Sequence, residues 1–188
     1  ALFIVPSWLP GNKEKEVRNG YAIDRIKWKM GTSELTTAEI IYDGAVAYPV
    51  GPLERGIANV VGIVLTYSRV TVGLSGAASM VRAVREARKY SELRDAFGMK
   101  IGRLPMVEAQ LKNVENFARR TTAGAFKLYR DFIELLSSPG GGIATDEPDS
   151  MKKKRFDVRE LVMLQKITAS WDTVDVLRTA MSIFGGHG

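Results

Sequence analysis

Residues 57–98, IANVVGIVLTYSRVTVGLSGAASMVRAVREARKYSELRDAFG, decide how this chain folds. Ile63, Tyr67, Val70, Leu74, Ala77, Val81 and Val84 recur at alternating steps of four and three, the spacing that lays side chains in one stripe along a helix. The same helix carries Gly73, Ser75, Gly76, Ala77, Ala78 and Ser79 in its middle. Each glycine there costs about 1 kcal/mol of helix propensity against alanine. Something therefore approaches closely, either a packed helix or a ligand lying over the small residues. The stretch closes on Tyr90, Arg94, Phe97 and Gly98, which read as a loop leaving the helix end.

Two further helices follow. Pro105 suits a first helical turn, and Val107, Leu111, Val114, Ala118, Ala125, Leu128, Phe132 and Leu135 continue as an apolar stripe. Lys112, Glu115, Arg119, Arg120, Lys127 and Arg130 supply its charged faces. Residues 137–155, with Ser-Ser-Pro-Gly-Gly-Gly and the cluster from Lys152 to Arg155, read as a polar, mobile connection. Asp157 with Glu160 three residues on has a capping-box pattern and signals the third helix. Its stripe reads Leu164, Ile167, Trp171, Val174, Leu177, Met181 and Phe184, stopped by Gly185 and Gly186. Three such helices imply an antiparallel bundle.

Upstream the period is shorter. Tyr21 to Met30 alternate in strand fashion, the stretch from Leu35 to Tyr42 is rich in Thr, Ile and Tyr, and 45–50 makes a further short strand. These segments, with the apolar run 1–5, read as antiparallel β. The fold class is therefore α+β, with a β segment at 1–51 followed by a helical bundle at 52–188. The chain begins in what reads as mid-strand and stops on a glycine motif, the pattern of a piece of a longer protein.

Composition limits the chemistry. With 188 residues and 45% hydrophobic content the chain can bury a sizeable core. The absence of cysteine excludes disulfides, thiolate catalysis and zinc-cysteine sites, and the single His187 excludes multi-histidine metal centres. No metal is expected. No uninterrupted apolar run approaches the roughly 20 residues that span a bilayer, so the expected compartment is the cytoplasm or a mitochondrial matrix. Residues 1–51 hold six basic and six acidic side chains, which places the whole +6 charge in the helical part. Such a balance suits phosphate-bearing cofactors, nucleic acid or acidic partners.

The candidate chemistry sits at helix ends. The turn Gly185-Gly186-His187-Gly188 either brings bare backbone against a phosphate or simply caps a helix. Arg94 and Phe97 either offer a guanidinium and a ring to a flat phosphorylated cofactor or are a surface arginine beside a core phenylalanine.

Taken together, residues 51–56, Arg69 on the long helix, the run from Tyr90 to Gly98 and the end from Ile183 to Gly188 resemble the acyl-CoA dehydrogenase family. These are flavoproteins of fatty acid metabolism that dehydrogenate the Cα–Cβ bond of an acyl-CoA thioester. The resemblance covers nearly the whole chain and implies the end of a middle β-barrel domain and most of a C-terminal helical domain. It places Arg94 and Phe97 along FAD, usually that of a neighbouring subunit, and brings Gly185 and Gly186 to the FAD diphosphate. A homo-oligomer, dimer or tetramer, follows, with an electron-transfer acceptor as a further partner. Arg69 matches an arginine on the acyl-CoA side, its alternative being a buried arginine paired with a helix carboxylate. No catalytic residue lies within the chain: one family position for the base glutamate falls beyond residue 188, and the other is Ser68. Ser182 and Pro105 stand where many relatives have FAD-contacting and helix-opening glutamines. The segments 104–106 and 2–10 look closer to the AidB-type branch, flavoproteins of the alkylation response that also bind DNA. In that alternative, Lys152 to Arg155 and Arg82, Arg85, Arg88 and Lys89 would meet DNA phosphates; otherwise they form a solvated face.

Overall fold

The computed structural model describes residues 1–138 and 148–188, which fall into two compact units, Ala1–Val60 and Val61–Gly188. The first is antiparallel β, as expected, in short pieces. Strand β1 (Phe3–Ile4) pairs with β4 (Tyr48–Pro49), and β2 (Tyr21–Ile26) pairs with β3 (Ala38–Tyr42). A register shift between Ile23 and Arg25 interrupts the ladder, which resumes at Arg25 opposite Glu39, and the alternation expected to run on to Met30 ends at Ile26. Asn19, buried, holds the unit together. Its side-chain amide donates to the Pro6 and Val46 carbonyls, both at 2.8 Å, and its Oδ1 accepts from the Gly20 amide at 2.9 Å and the Val46 amide at 2.8 Å. One side chain thus satisfies backbone from three separate loops, which is what a buried amide needs to repay its desolvation.

The helical run opens with a 3-10 turn (Leu53–Arg55), α1 (Gly56–Asn59) and a π-helical segment (Val60–Leu65), then continues as α2 (Thr66–Leu93). The residues α2 buries are Thr66, Val70, Gly73, Ala77, Met80, Ala83, Val84, Ala87 and Ser91. The expected stripe shares Val70, Ala77 and Val84 with this face, but Tyr67 and Val81 lie on its flank, exposed. Helix α3 (Pro105–Leu136) starts at Pro105 and buries the expected line from Leu111 to Leu135.

The third helix corrects two expectations. Helix α4 (Asp149–Phe184) begins eight residues before Asp157, so the supposed capping box lies inside the helix, where Asp157 pairs with Lys153 at 3.1 Å. The cluster from Lys152 to Arg155 is therefore helical; of the rest of the expected connection, 139–147 lie outside the described residues. The buried face is also the other one. Val158, Val162, Ala169, Val176, Ala180 and Ile183 face inward, whereas Leu164, Ile167, Trp171, Val174, Leu177 and Met181 are exposed. The reason is the glycine stripe. A Cβ on Gly76 would stand 2.9 Å from Thr173 Oγ1 and 3.3 Å from the Ala169 carbonyl oxygen, and one on Gly73 would stand 3.2 Å from Gln165 Cδ. At that approach only small side chains fit between α2 and α4, so Ala169 turns inward and Trp171 outward. Of the two readings of the small residues, helix packing is the one found.

Apolar character along the first helical run is diluted by Ser, Thr and Gly more than by charge. Counting uninterrupted apolar residues therefore understates it. Leu53–Leu93 holds an 18-residue window of mean hydropathy 1.5, long and apolar enough by length and composition alone to cross a membrane. Only 17% of that window is buried; the buried face of α2 packs into the two cores of the bundle, from Val70 to Ala87.

Candidate functional site

Helix α2 ends because Arg94 leaves helical geometry (φ −76°, ψ 127°), while its amide still donates to the Tyr90 carbonyl at 2.9 Å. The expected loop is a tight hairpin: β5 (Asp95–Ala96) pairs with β6 (Met99–Lys100) around Phe97 and Gly98, at φ 54° and 78°. Two positive φ values in a two-residue turn are the type I′ arrangement, where Asn-Gly is usual. A phenylalanine held there costs about 1–3 kcal/mol. Phe97 recovers none of this by burial, since it is 89% exposed. It is not a core phenylalanine: the ring stands in solvent at the tip of the turn.

The hairpin is anchored from below. The Ile101 amide donates to the Arg94 carbonyl at 2.9 Å, and Lys100 Nζ bonds Asp95 Oδ2 at 2.7 Å and donates to the Leu93 carbonyl at 3.1 Å. Ile101 is buried in the core, and Gly102 lies so near Ser91 that a Cβ would come within 2.9 Å of its hydroxyl.

Helix α4 ends in Gly185 at φ 62°, followed by a 3-10 turn (Gly185–His187) closed by the Gly188 amide on the Gly185 carbonyl at 3.0 Å. Gly185 is thus a helix cap, as the plainer reading held. It is also open backbone, because a Cβ on Gly185 or Gly186 would meet nothing within 4 Å.

Tyr90 joins the two motifs. Its ring lies 4.8 Å from Phe184 at an interplanar angle of 53° and 6.2 Å from His187 at 60°. Tyr90, Ala96 and Phe184 all pack on the buried cluster that includes Met80, Ile101 and Ile183. The hairpin with Arg94 and Phe97 and the turn with Gly185 and Gly186 therefore share one end of the bundle. Arg94 is exposed and has no ion pair among the described residues. Sequence reasoning gave Tyr90 no role of its own; its position one turn before Arg94 was the available signal.

Arg69 is not part of this cluster. It sits in the first turn of α2, directly after the π-helical segment, about 37 Å along the helix from Arg94 at 1.5 Å per residue. It is half-buried and, among the described residues, has no ion pair, so the alternative of a helix carboxylate partner is not found. Thr66 Oγ1 donates to the Val61 carbonyl at 2.9 Å inside the π-helical segment, an irregularity that often marks functional positions and that no sequence signal announced. Ser68 is exposed, and its carbonyl accepts from Thr71 Oγ1 at 2.8 Å.

Most side chains of the basic clusters meet acids. Arg82 and Arg85 meet Glu86 at 3.1 and 3.4 Å, Lys89 meets Glu92 at 3.8 Å, and Arg88 Nε donates to Glu115 at 2.6 Å. Lys152, Lys153 and Lys154 meet Asp149, Asp157 and Glu134 at 3.2, 3.1 and 2.9 Å. This supports the solvated-face reading. Elsewhere on the bundle, Lys127 and then Arg130 hold the buried Asp131 carboxyl below its usual range, although burial opposes them.

Comparison with known proteins adds to this geometry. No protein-family model matches the chain. The chain is 29% identical over 170 residues to acyl-CoA dehydrogenase family member 11 of Caenorhabditis elegans, covering 90% of this chain and 26% of that protein. It is 28% identical over 196 residues to 3-methylmercaptopropionyl-CoA dehydrogenase of Ruegeria pomeroyi, covering all of this chain and 32% of that protein. The crystal structure of Caenorhabditis elegans ACDH-11 in complex with C11-CoA superposes with a TM-score of 0.77 at 26% identity, over 98% of this chain and 28% of that one. The chain thus spans about a third or less of the length of these relatives.

Proposed function

We propose, for a chain that fits a piece of the acyl-CoA dehydrogenase family in both sequence and fold, that the protein containing it is an FAD-dependent acyl-CoA dehydrogenase of fatty acid metabolism. In this reading 1–51 closes the middle β domain and 52–188 makes most of the helical domain. The observation that carries it is the shared end of the bundle, where Tyr90 sets the Arg94–Phe97 hairpin beside the Gly185–Gly186 turn.

The residues present suit the cofactor. Arg94 offers a guanidinium with no ion pair among the described residues, Phe97 a ring free to lie on a flat surface, and Gly185 and Gly186 backbone that a diphosphate can approach without meeting a Cβ. Bound FAD would supply the two-electron acceptor for α,β-dehydrogenation of the thioester. The chain's own share is binding and orientation. Phe97 points out of its own bundle, which suits an FAD shared with a neighbouring copy in a homodimer or homotetramer. Arg69, at the far end of α2, serves the acyl-CoA side, and the electrons pass on to an electron-transfer acceptor. Ser68 carries no carboxylate, so the proton acceptor is a glutamate supplied from outside these 188 residues. The alternative, an AidB-type flavoprotein binding DNA, would use Lys152 to Arg155 and Arg82, Arg85, Arg88 and Lys89, most of which meet acids on the surface; a salt-dependent DNA titration separates the two.

The purified parent protein should show flavin absorbance and oxidise an acyl-CoA; a parent without flavin refutes the reading. The 188 residues alone should be inactive, and measurable turnover by them would show that the base has been misplaced.

A further inference from the structure

The β unit is held together by its most chemically reactive dipeptide. Asn19-Gly20 is the one place in the chain where an asparagine precedes a glycine; Asn12, Asn59, Asn113 and Asn116 precede Lys13, Val60, Val114 and Phe117. A glycine has no Cβ to shield its own amide nitrogen, which can reach the Cγ of the preceding asparagine and expel ammonia. Yet the fold requires both residues. Asn19 is 3% exposed with every polar group engaged. Its backbone amide donates to the Ser7 carbonyl at 3.2 Å, its carbonyl accepts from the Tyr21 amide at 2.8 Å, and its side chain bonds Pro6, Gly20 and Val46. A carboxylate of the same shape has no donor for the Pro6 and Val46 carbonyls. Gly20 is equally constrained, because a Cβ there would overlap the Asp43 carbonyl oxygen and stand 2.9 Å from the Ala45 nitrogen. No side chain that would slow the attack fits.

We propose that Asn19-Gly20 is a latent deamidation site, closed while the β unit is folded and consumed irreversibly when the unit opens. In the reaction the Gly20 amide gives up its proton to hydroxide and its nitrogen attacks Asn19 Cγ. The N–Cγ bond forms, the Cγ–Nδ2 bond breaks, and the side-chain nitrogen leaves as ammonia. Water then opens the resulting imide at either carbonyl, giving aspartate or isoaspartate, with no co-reactant besides water. The native bonds oppose each step. The Gly20 N–H is committed to Asn19 Oδ1 at 2.9 Å, and Nδ2, the leaving group, is held by two carbonyls at 2.8 Å. Turning Cγ toward the Gly20 nitrogen breaks these bonds, so the reaction proceeds through local opening of the unit. Either product then prevents reclosure. The carboxylate sets an acceptor against the Pro6 and Val46 carbonyls and leaves both without a donor. Isoaspartate also lengthens the main chain by one carbon between Asn19 and Gly20, where the Asp43 carbonyl leaves no slack and directly before β2 enters its register with β3 at Tyr21 and Tyr42.

Peptide mapping by mass spectrometry, after incubation of the purified parent protein at mildly alkaline pH, reads conversion at each asparagine. In urea above the unfolding transition Asn19 should convert faster than Asn12, Asn59, Asn113 and Asn116, and in native buffer at least tenfold more slowly than in urea. Protein already converted at Asn19 should lose hydrogen-exchange protection at least tenfold at the amides of Tyr21, Asp43 and Val46, which bond the Asn19 carbonyl, the Gly20 carbonyl and Asn19 Oδ1. The variant Asn19→Asp, one product made directly, should show the same loss or fail to fold its β unit. Asn116→Asp, the same change on the exposed side of α3, should leave the three amides protected. Equal conversion of Asn19 in native buffer and in urea overturns the proposal, as does conversion in urea no faster than at the other four. Full protection of the three amides in converted protein overturns it too. None of these steps involves flavin or thioester, so each outcome leaves the proposed function where it stands.

Discussion

Replacing Gly76 by alanine tests the close approach of α2 and α4 directly. The added methyl would stand 2.9 Å from Thr173 Oγ1 and 3.3 Å from the Ala169 carbonyl oxygen. Neither atom moves freely, since the Thr173 hydroxyl already donates to that same carbonyl at 2.6 Å. Overpacking of this kind costs about 1–3 kcal/mol, and the gain in helix propensity returns about 1 kcal/mol. The expected net effect is a loss of about 1 kcal/mol. Gly124→Ala, within α3, is the matched control. The nearest atom to its new methyl is Gln165 Nε2 at 3.6 Å, ordinary contact, so it should gain about 1 kcal/mol. Two identical substitutions in helix interiors should therefore differ in sign and by about 2 kcal/mol. Removing the obstructing hydroxyl with Thr173→Ala should move the effect of Gly76→Ala toward that of Gly124→Ala, with a coupling of about 1–2 kcal/mol in the double-mutant cycle. Urea unfolding followed by far-UV circular dichroism measures all four variants, provided the slope is unchanged. If Gly76→Ala stabilises as much as Gly124→Ala, the helices are not as close as described and the reason given for the outward turn of Trp171 fails.

Phe97→Gly should stabilise the chain by about 1 kcal/mol by relieving the left-handed backbone, while in the parent protein it should lower flavin retention; a loss of stability would show that the ring is packed after all. Asp131→Asn should cost about 1 kcal/mol at neutral pH by removing the charge-assisted bond from Lys127. Because the folded carboxyl is held below its unfolded value of about 3.9, the contribution is present above that value and is lost as pH falls through the lower folded one. Urea midpoints of the two proteins should therefore converge in acid, and a gap that persists there would assign the effect to shape rather than charge.

Much of the fold was legible because its signals are local. The period of α3 gave both its start at Pro105 and its buried line, since that helix has one apolar face and a charged opposite side. Antiparallel pairing upstream was legible from alternation, but strand lengths were not, because the register shift at Ile23 and the hub at Asn19 depend on residues far away in sequence. Helix α4 was misread by face for the same kind of reason. Two apolar stripes compete along it, and the choice between them is made by Gly73 and Gly76 on another helix. Bulk favoured the stripe with Trp171, and clearance favoured the one with Ala169. The site motifs were legible from a resemblance resting on Arg94, Phe97, Gly185 and Gly186, whereas the hairpin, the strain at Phe97 and the bridging ring of Tyr90 needed the structure.

The two motifs sit at the ends of α2 and α4, the two helices brought together at Gly73 and Gly76. Tyr90 lies roughly 21 Å along α2 from Gly76 at 1.5 Å per residue, and its ring meets Phe184 at a centroid distance of 4.8 Å. Rigid helices transmit a change of spacing to their ends, so a bulkier residue at position 76 would act on the Tyr90–Phe184 contact without touching it. Gly102 against Ser91 does the same work locally, holding the hairpin on the helix end where a Cβ would lift it away. The open alternatives for the stripe, packing or a ligand, therefore resolve into packing, which also sets the distance between the two helix ends that carry the hairpin and the glycine turn. That explains why α2 tolerates two glycines in its interior despite a propensity cost of about 2 kcal/mol.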